Sequence, residues 1–347
     1  MAADQLDTAL SALADTAPEF GSIGLSNHGP MVAEALDHLG RAEAIDPWLS
    51  RYRGRLDHAP PPAVRPLSEE AWPGALGDVT RFADWLALFE TEMADRPVTA
   101  VVGEWVPRLV PGSIGAAAHG LIRTAHALRA LSRVDTPTRR LEVATAMAYW
   151  ASRYQELPGP PQLTGHLEVP AALAGLPALP EGTPHEHLIT AQVAHVDGIG
   201  DEFARGVASL RPEGDAIGLI DQLALGGVRA YLRNAAAGNP VALIHAVTCP
   251  LALELLLPWL PAEDHHAALA YAWQAVASIH VAFAIDRHVP EVGSEGLPSP
   301  EELIDGAIGS GDEHAMKLTE AVLRSYARTG EPVLLWAAMD ASNRLRG

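Results

Sequence analysis

Apolar residues recur at helical spacing along almost the whole chain, and turns containing proline and glycine separate the successive patterns. A segment patterned in this way folds as a helix that buries one face against its neighbours. We find no convincing alternation of apolar and polar residues of the kind that a half-buried strand shows. Alanine and leucine are abundant and aromatic residues make up only 5% of the chain, which also favours helices. The sequence therefore predicts an all-α fold.

The turns divide the chain into a series of helices. A chain of 347 residues is long enough for two domains, but domains of this size also occur singly, and we expect one compact multi-helix domain over residues 1–347. The predicted helices cover residues 3–16, 31–39, 48–56, 78–94, 97–109, 114–133, 137–154, 186–210, 215–236, 241–257, 262–288, 300–308, 314–328 and 331–345.

One segment, residues 157–184, interrupts the helical pattern for much longer than a turn and is rich in proline and glycine. Long connections without regular structure are uncommon inside a compact domain, and they usually have a function or join two bodies. The segment is therefore either a linker or an internal arm that lies over the helices.

Charge and composition exclude several classes of protein. The net charge is −19, from 24 basic and 43 acidic residues, and no basic patch is visible, so we expect no nucleic-acid and no membrane partner. The single Cys249 excludes an internal disulfide and a thiolate metal cluster. Residues 1–20 lack the basic and apolar regions of a signal peptide, and the apolar residues 235–260 are broken by prolines and polar residues. We interpret the latter as a buried helix pair, and we expect a soluble, cytoplasmic protein.

The stretch from Gly309 to Ala321 contains the only lysine of the chain, Lys317, against 23 arginines. Asp312 is placed to cap a helix that follows it, so His314 and Lys317 lie one turn apart on one face. Unlike arginine, lysine can lose its proton when buried and then act as a base, a nucleophile or a carbamate. The alternative is an ordinary exposed lysine on a surface helix.

Fifteen histidines are present, and six lie in apolar or turn contexts. A single buried histidine usually hydrogen-bonds a carbonyl, whereas several on helices that pack together can share one centre. On one helix, His119, Arg123 and His126 follow a spacing of i, i+4 and i+7 that places them on one face. The six histidines are His28, His119, His126, His245, His280 and His314.

Known cofactor motifs are missing from the sequence. There is no His-Glu-x-x-His, only one Glu-x-x-His, no P-loop and no Gly-x-Ser-x-Gly, and the glycines of residues 306–311 depart from the dinucleotide fingerprint. A histidine-rich centre with at most one oxygen donor suits iron, copper or zinc.

Four motifs, in this order, resemble those of the questin oxidase-like family. They are Asn27-His28-Gly29-Pro30-Met31, Ala118-His119-Gly120-Leu121-Ile122-Arg123, Leu243-Ile244-His245-Ala246-Val247-Thr248, and Asp312-Glu313-His314-Ala315-Met316-Lys317. Fungal members of that family tend to have a second histidine at position 123 and a small or aromatic residue at 126, so the substrate contacts of this chain differ. The resemblance implies an oxidoreductase of polyketide secondary metabolism, a monooxygenase that opens an anthraquinone ring by a Baeyer–Villiger-type oxidation. It also implies NADPH as reductant, although no nucleotide-binding motif is visible.

The family motifs supply the predicted metal ligands. We expect a mononuclear, non-heme iron centre, in which Lys317 is neutral or carbamylated because an ammonium has no lone pair. In this interpretation Arg123 holds a phenolate or a developing oxyanion, while His126 or His280 transfers protons. The predicted ligands are His28, His119, His245, His314 and Lys317.

Two further functions remain open on the sequence alone. The first is a non-catalytic binder of polycyclic aromatic ligands, which would contain no metal and consume no oxygen. The second is a zinc hydrolase that uses the same histidines and would act without oxygen. The identity of the aromatic substrate and the oligomeric state do not follow from the sequence.

Overall fold

The structure is a computed structural model, which describes residues 4–59, 65–68, 70–286 and 296–346. The prediction of an all-α fold is confirmed, since about 70% of the described residues are helical and a single two-stranded sheet is the only sheet among them. Contacts between residues divide the chain into two compact units. The first comprises residues 1–155 and 255–261, and the second comprises residues 156–254 and 262–347.

The first unit consists of helices and one short hairpin. Its α-helices are α1 (Gln5–Leu13), α2 (Gly29–His38), α3 (Ile45–Tyr52), α4 (Phe82–Asp95), α5 (Val98–Leu109), α6 (His119–Arg133) and α7 (Pro137–Ser152). The antiparallel strands are β1 (Glu19–Phe20) and β2 (Leu25–Ser26). Short 3-10 helices cover Ala42–Ala44, Arg53–Arg55, Pro73–Ala75, Val79–Arg81, Val110–Gly112, Gly115–Ala118 and Leu257–Trp259.

Helices α6 and α7 form the centre of the first unit, with α2 packed on α6 and α4 packed on α7. Gly120 allows α6 to approach α7 closely, because a Cβ at this position would lie 2.6 Å from the Cα of Trp150. A second apolar layer, in which Trp85, Phe89 and Trp105 meet edge to face or stacked, packs α4 against α5.

The predicted helix over 114–133 is wrong at its N-terminal end. The α-helix begins only at His119, because the three preceding residues, Ala116, Ala117 and Ala118, have φ values of 50°, 57° and 65°. Left-handed backbone is unfavourable for a residue with a Cβ, so the pattern of apolar residues did not predict it. Gly115, at the start of this turn, packs against Arg153 so closely that a Cβ on Gly115 would lie 1.9 Å from the carbonyl oxygen of Arg153.

The second unit contains nine α-helices among its described residues. They are α8 (Val169–Ala174), α9 (Ile189–Ala194), α10 (Gly200–Ala208), α11 (Ala216–Asn234), α12 (Pro240–Leu256), α13 (His265–Phe283), α14 (Pro300–Ser310), α15 (Glu313–Thr329) and α16 (Pro332–Arg344). Two 3-10 helices cover His195–Ile199 and Ala262–Asp264. The predicted helix 186–210 is therefore divided by a 3-10 segment, and the last two residues of predicted helix 262–288 lie outside the described residues.

The proline- and glycine-rich segment packs along the second unit. Leu167 pairs with Leu210 in a parallel bridge, and Gly165 lies so close to Ser209 that a Cβ would meet its carbonyl oxygen at 1.8 Å. Gln274 on α13 donates to the carbonyl oxygens of Pro158 and Gly159, at 3.3 and 2.7 Å. These contacts favour the internal arm over a free linker.

The apolar residues 235–260 do not form the expected helix pair. A single α-helix, α12, runs to Leu256 and continues as a 3-10 turn to Trp259. Pro240–Trp259 is long and apolar enough to cross a membrane, but 78% of this stretch is buried within the protein. Such burial is typical of a core helix.

Candidate metal-binding residues

In the first unit, the imidazoles of His28 and His119 face each other. Their Nε2 atoms are 2.8 Å apart, and their rings are nearly perpendicular, with an interplanar angle of 85°. Two nitrogen ligands at the usual metal–nitrogen distance of about 2.0–2.1 Å lie about 3 Å apart when they occupy neighbouring positions. The two nitrogens are therefore spaced so that they could share a metal ion.

The unusual turn before α6 orients His119. Its Nδ1 lies 2.6 Å from the carbonyl oxygen of Ala116, one of the left-handed alanines. A carbonyl can only accept, so Nδ1 carries the proton and Nε2 keeps its lone pair. A backbone carbonyl on the second ring nitrogen is a usual partner of a metal-ligating histidine.

His28 is held at the start of α2 by its backbone. Its amide donates to the hydroxyl of Tyr52 at 2.8 Å, and the Asn27 side chain accepts from the next amide, that of Gly29, at 2.9 Å. Pro30 follows in the first turn of the helix, where its missing amide hydrogen has no cost. The motif Asn-His-Gly-Pro, together with Tyr52, therefore fixes the backbone of His28 at the start of α2.

In the second unit, His245 on α12 and His314 on α15 form another pair of buried imidazoles, with ring centroids 5.4 Å apart. The Nδ1 of His245 donates to the carbonyl oxygen of Val241 at 2.8 Å, which leaves its Nε2 as the lone-pair nitrogen. Burial holds the pKa of His245 well below its usual value, and nearby His314 and Lys317 lower it further. His245 is therefore neutral at pH 7, as a metal ligand must be.

His314 and Lys317 lie in the first turn of α15, which Asp312 caps. The Asp312 carboxylate accepts from the His314 amide at 2.7 Å and lies 3.4 Å from its Nδ1. The pKa of Asp312 is held below its usual value: burial would raise it, but the hydrogen bonds and the charge of His314 outweigh that effect. Asp312 stays ionised, and a carboxylate in this position orients an imidazole for ligation.

Lys317 is not an exposed surface lysine. Its side chain is only 2% exposed, and the Nζ atom has no hydrogen-bond partner among the residues that the structure describes. Burial lowers the pKa of Lys317 to about 7, against the opposing influence of Glu313 and Asp312. An appreciable fraction of the amine is therefore neutral at pH 7, with a lone pair available for a metal or for CO₂.

Arg123, a predicted catalytic residue, is engaged in a buried ion pair that the sequence did not indicate. Its Nε and one amino group donate to both carboxylate oxygens of Glu142, at 2.6 and 2.9 Å. The second amino group is buried without a partner among the described residues. That amino group is the part of Arg123 that remains available to an acceptor.

His126 is held in a second buried network, around Glu34 on α2. The Nδ1 of His126 and the guanidinium of Arg129 both donate to this carboxylate, the former at 2.6 Å. Although burial acts in the opposite direction, these partners lower the pKa of Glu34 to about 2. Glu34 and Glu142 were missed because each lies on a different helix from its partner, 92 residues from His126 and 19 residues from Arg123 respectively.

His280, the third predicted catalytic residue, lies in the last turns of α13 and is 3% exposed. Of the eight predicted site residues, the structure thus brings His28 next to His119 in the first unit. It brings His245, His314 and Lys317 together in the second.

No family model matches the chain, and no curated protein is significantly similar to it.

Proposed function

We propose that the protein is a metal-dependent oxygenase that opens a ring of a flat aromatic polyketide by a Baeyer–Villiger-type reaction. Its proposed ligands are His28, His119, His245, His314 and Lys317, and its proposed metal is iron. The observation that carries the proposal is the state of the buried donors. The Nδ1 of His119 and of His245 donates to a backbone carbonyl, so that Nε2 is left as a ligand atom.

The donor set also supports the choice of metal. It contains imidazoles and one amine without a thiolate, and such sites suit iron, copper or zinc. A carbamate on Lys317 would add one hard oxygen donor, which favours iron over copper. Iron, when bound, would supply the activation of dioxygen that ring opening requires. That all five residues bind a single ion is a prediction from the sequence.

The remaining site residues take the roles predicted for them. In the proposal, the unpartnered amino group of Arg123 donates to a phenolate or quinone oxygen, and His126 and His280 transfer protons. One oxygen atom of O₂ enters the ring and the other leaves as water, with two electrons from a reductant. NADPH in this role rests on the family resemblance. We also propose that the protein acts in the cytoplasm.

Elemental analysis of protein purified without chelator tests the proposal. We expect about one iron per chain and oxygen uptake with an anthraquinone substrate. Lys317→Arg is expected to lose the iron while its helical circular dichroism is retained, because a guanidinium cannot become a neutral donor or a carbamate. Arg344→Lys, an exposed exchange of the same two residue types, is the matched control.

Three results would contradict the proposal in different ways. Full iron occupancy in Lys317→Arg would remove Lys317 from the site. Two ions per chain would assign separate sites to the histidine pairs. Protein that binds aromatics but contains no metal, or zinc protein that turns over without oxygen, would replace the oxygenase by a binder or a hydrolase.

A further inference from the structure

The first unit contains a cavity of ≈ 180 Å³ that none of the proposed metal ligands lines. Residues of α4 and α5 line most of it, together with Ser68 and Trp72. The cavity is partly open to solvent, and a volume of about 150 Å³ is already enough for a benzene-sized molecule. The lining residues are Ser68, Trp72, Leu88, Glu92, Arg96, Glu104, Trp105 and Arg108.

The aromatic side of the cavity is held in a fixed geometry. The rings of Trp72 and Trp105 are 5.3 Å apart at an interplanar angle of 74°, and Leu88 completes the apolar surface. The Trp105 ring nitrogen donates to Glu92 at 3.2 Å, which fixes the plane of the indole. The Arg108 guanidinium covers both indoles, so a planar ring in the cavity would lie beside Trp72 and Leu88 rather than stack on Trp105.

The charged side of the cavity is a chain of ion pairs. Arg96 lies between the two carboxylates, with one amino group 2.8 Å from Glu92 and the other 2.6 Å from Glu104. The hydrogen bond from Arg96 to Glu104 is the main cause that holds the pKa of Arg96 above its usual value. The same hydrogen bond is the main cause that holds the pKa of Glu104 below its usual value. Both carboxylates already have a guanidinium partner, so a cationic ligand would gain little here.

Arg108 differs from Arg96 because it forms only one ion pair with these carboxylates, that with Glu104. One amino group lies 3.1 Å from Glu104, and the guanidinium lies over the rings of Trp105 and Trp72, at 4.7 and 5.3 Å from their centroids. Stacking keeps the guanidinium plane fixed but leaves its donor edge able to accept a further partner. The planar fork of arginine matches the two oxygens of a carboxylate.

We propose that this cavity binds a monocyclic aromatic carboxylate, with the ring against Trp72 and Leu88 and the carboxylate on the donor edge of Arg108. The net charge of −19 does not forbid an anion, because exposed charges farther away than about 8 Å are largely screened at physiological salt. None of the proposed metal ligands lines this cavity, so a test of aromatic carboxylate binding does not depend on whether the protein binds a metal.

Calorimetric titration of the full-length protein with benzoate tests the assignment. We expect a dissociation constant on the order of 1 mM or tighter. Arg108→Gln should weaken it at least about tenfold, and Arg108→Lys should weaken it less, because lysine keeps the charge but not the fork. Arg140→Gln, which removes an exposed arginine paired with Asp135, should leave it unchanged.

A second probe, phenyltrimethylammonium, distinguishes an anion site from an aromatic cage for cations. Preference for this cation over benzoate would overturn the proposal. So would benzoate binding that is equally strong in Arg108→Gln, or the absence of any binding up to about 10 mM. Circular dichroism of the Arg108 variants confirms that they are folded before either titration is interpreted.

Discussion

His28 and His119 point their Nε2 atoms at each other across 2.8 Å, although 91 residues separate them in the sequence. Two neutral imidazoles can satisfy this contact only if one nitrogen donates, whereas a metal ion would use both lone pairs. Since Ala116 fixes the proton of His119 on Nδ1, its Nε2 is an acceptor, and the proton on Nε2 of His28 must move to Nδ1 or leave before an ion binds. This relation leads to the first prediction.

Replacing His119 by glutamine should lower metal affinity by roughly 100-fold or more, since outer partners of a ligand alone account for about 10–100-fold. His126→Gln is the matched control on the same helix, because His126 donates to Glu34. We expect that control to keep its metal content. Isothermal titration with Fe²⁺ under argon measures both, and equal affinities for the two variants would show that His119 is not a ligand.

Lys317 should make the stability of the metal-free protein depend on alkaline pH. Its pKa is about 7 in the folded protein and 10.5 in an unperturbed chain, so between these values the unfolded state binds more protons. Stability therefore rises as the pH increases from about 7 to 10.5, and the burial penalty is fully present below pH 7. The shift corresponds to a penalty on the order of 5 kcal/mol.

Lys317→Met removes this penalty while it conserves the volume of the side chain. In the presence of chelator, we expect the variant to be more stable than the parent at pH 7 by a few kcal/mol, with a smaller advantage at pH 10. Urea unfolding at both pH values measures the difference. A constant difference across this range would mean that the amine is protonated in the folded protein throughout.

The sequence revealed those features that depend on local chemistry. The periodic apolar pattern predicted most helices to within a few residues, and the unique lysine singled out Lys317, which the structure buries. Asp312 was expected to cap α15, and it does so through the amides of His314 and Ala315. Each of these features depends on residues within one or two helical turns of one another.

What the sequence did not reveal depends on contacts between distant segments. The sequence analysis did not single out Glu34, because its partners His126 and Arg129 follow more than 90 residues later. The start of α6 was misplaced since an alanine-rich segment favours helix, whereas Ala116–Ala118 have left-handed backbone beside Gly115, which packs against Arg153 about 40 residues later.

The Glu34 network should determine the stability of the first unit in acid. The pKa of Glu34 is about 2 in the folded protein, against 4.5 in an unperturbed chain, so its stabilising contribution is complete above pH 4.5 and is lost as the pH falls towards 2. Glu34→Gln leaves the guanidinium of Arg129 buried without its counter-charge, which should cost about 3–5 kcal/mol at pH 7.

Asp37→Asn provides the comparison, because Asp37 on the same helix pairs with the half-exposed Arg133. An ion pair at the surface is worth about 0–1 kcal/mol, so this variant should unfold almost as the parent does. Guanidinium unfolding at pH 7 and pH 3 measures both variants. Similar losses of unfolding free energy in Glu34→Gln and Asp37→Asn would show that the buried network stabilises the protein no more than a surface ion pair does.

The left-handed turn before His119 gives the last prediction. An alanine with φ near 50° is strained by about 1–2 kcal/mol, whereas glycine adopts this backbone freely but loses about 0.4–1 kcal/mol through the entropy of the unfolded chain. Ala116→Gly should therefore range from neutral to about 1 kcal/mol stabilising. Ala127→Gly, inside α6, should cost about 1 kcal/mol.

The carbonyl of residue 116 still accepts from His119, so metal affinity should be retained when the turn is unchanged. Thermal unfolding together with Fe²⁺ titration measures both effects, and a loss of metal binding in Ala116→Gly would mean that the rigidity of the turn is needed to hold the His119 ring in place.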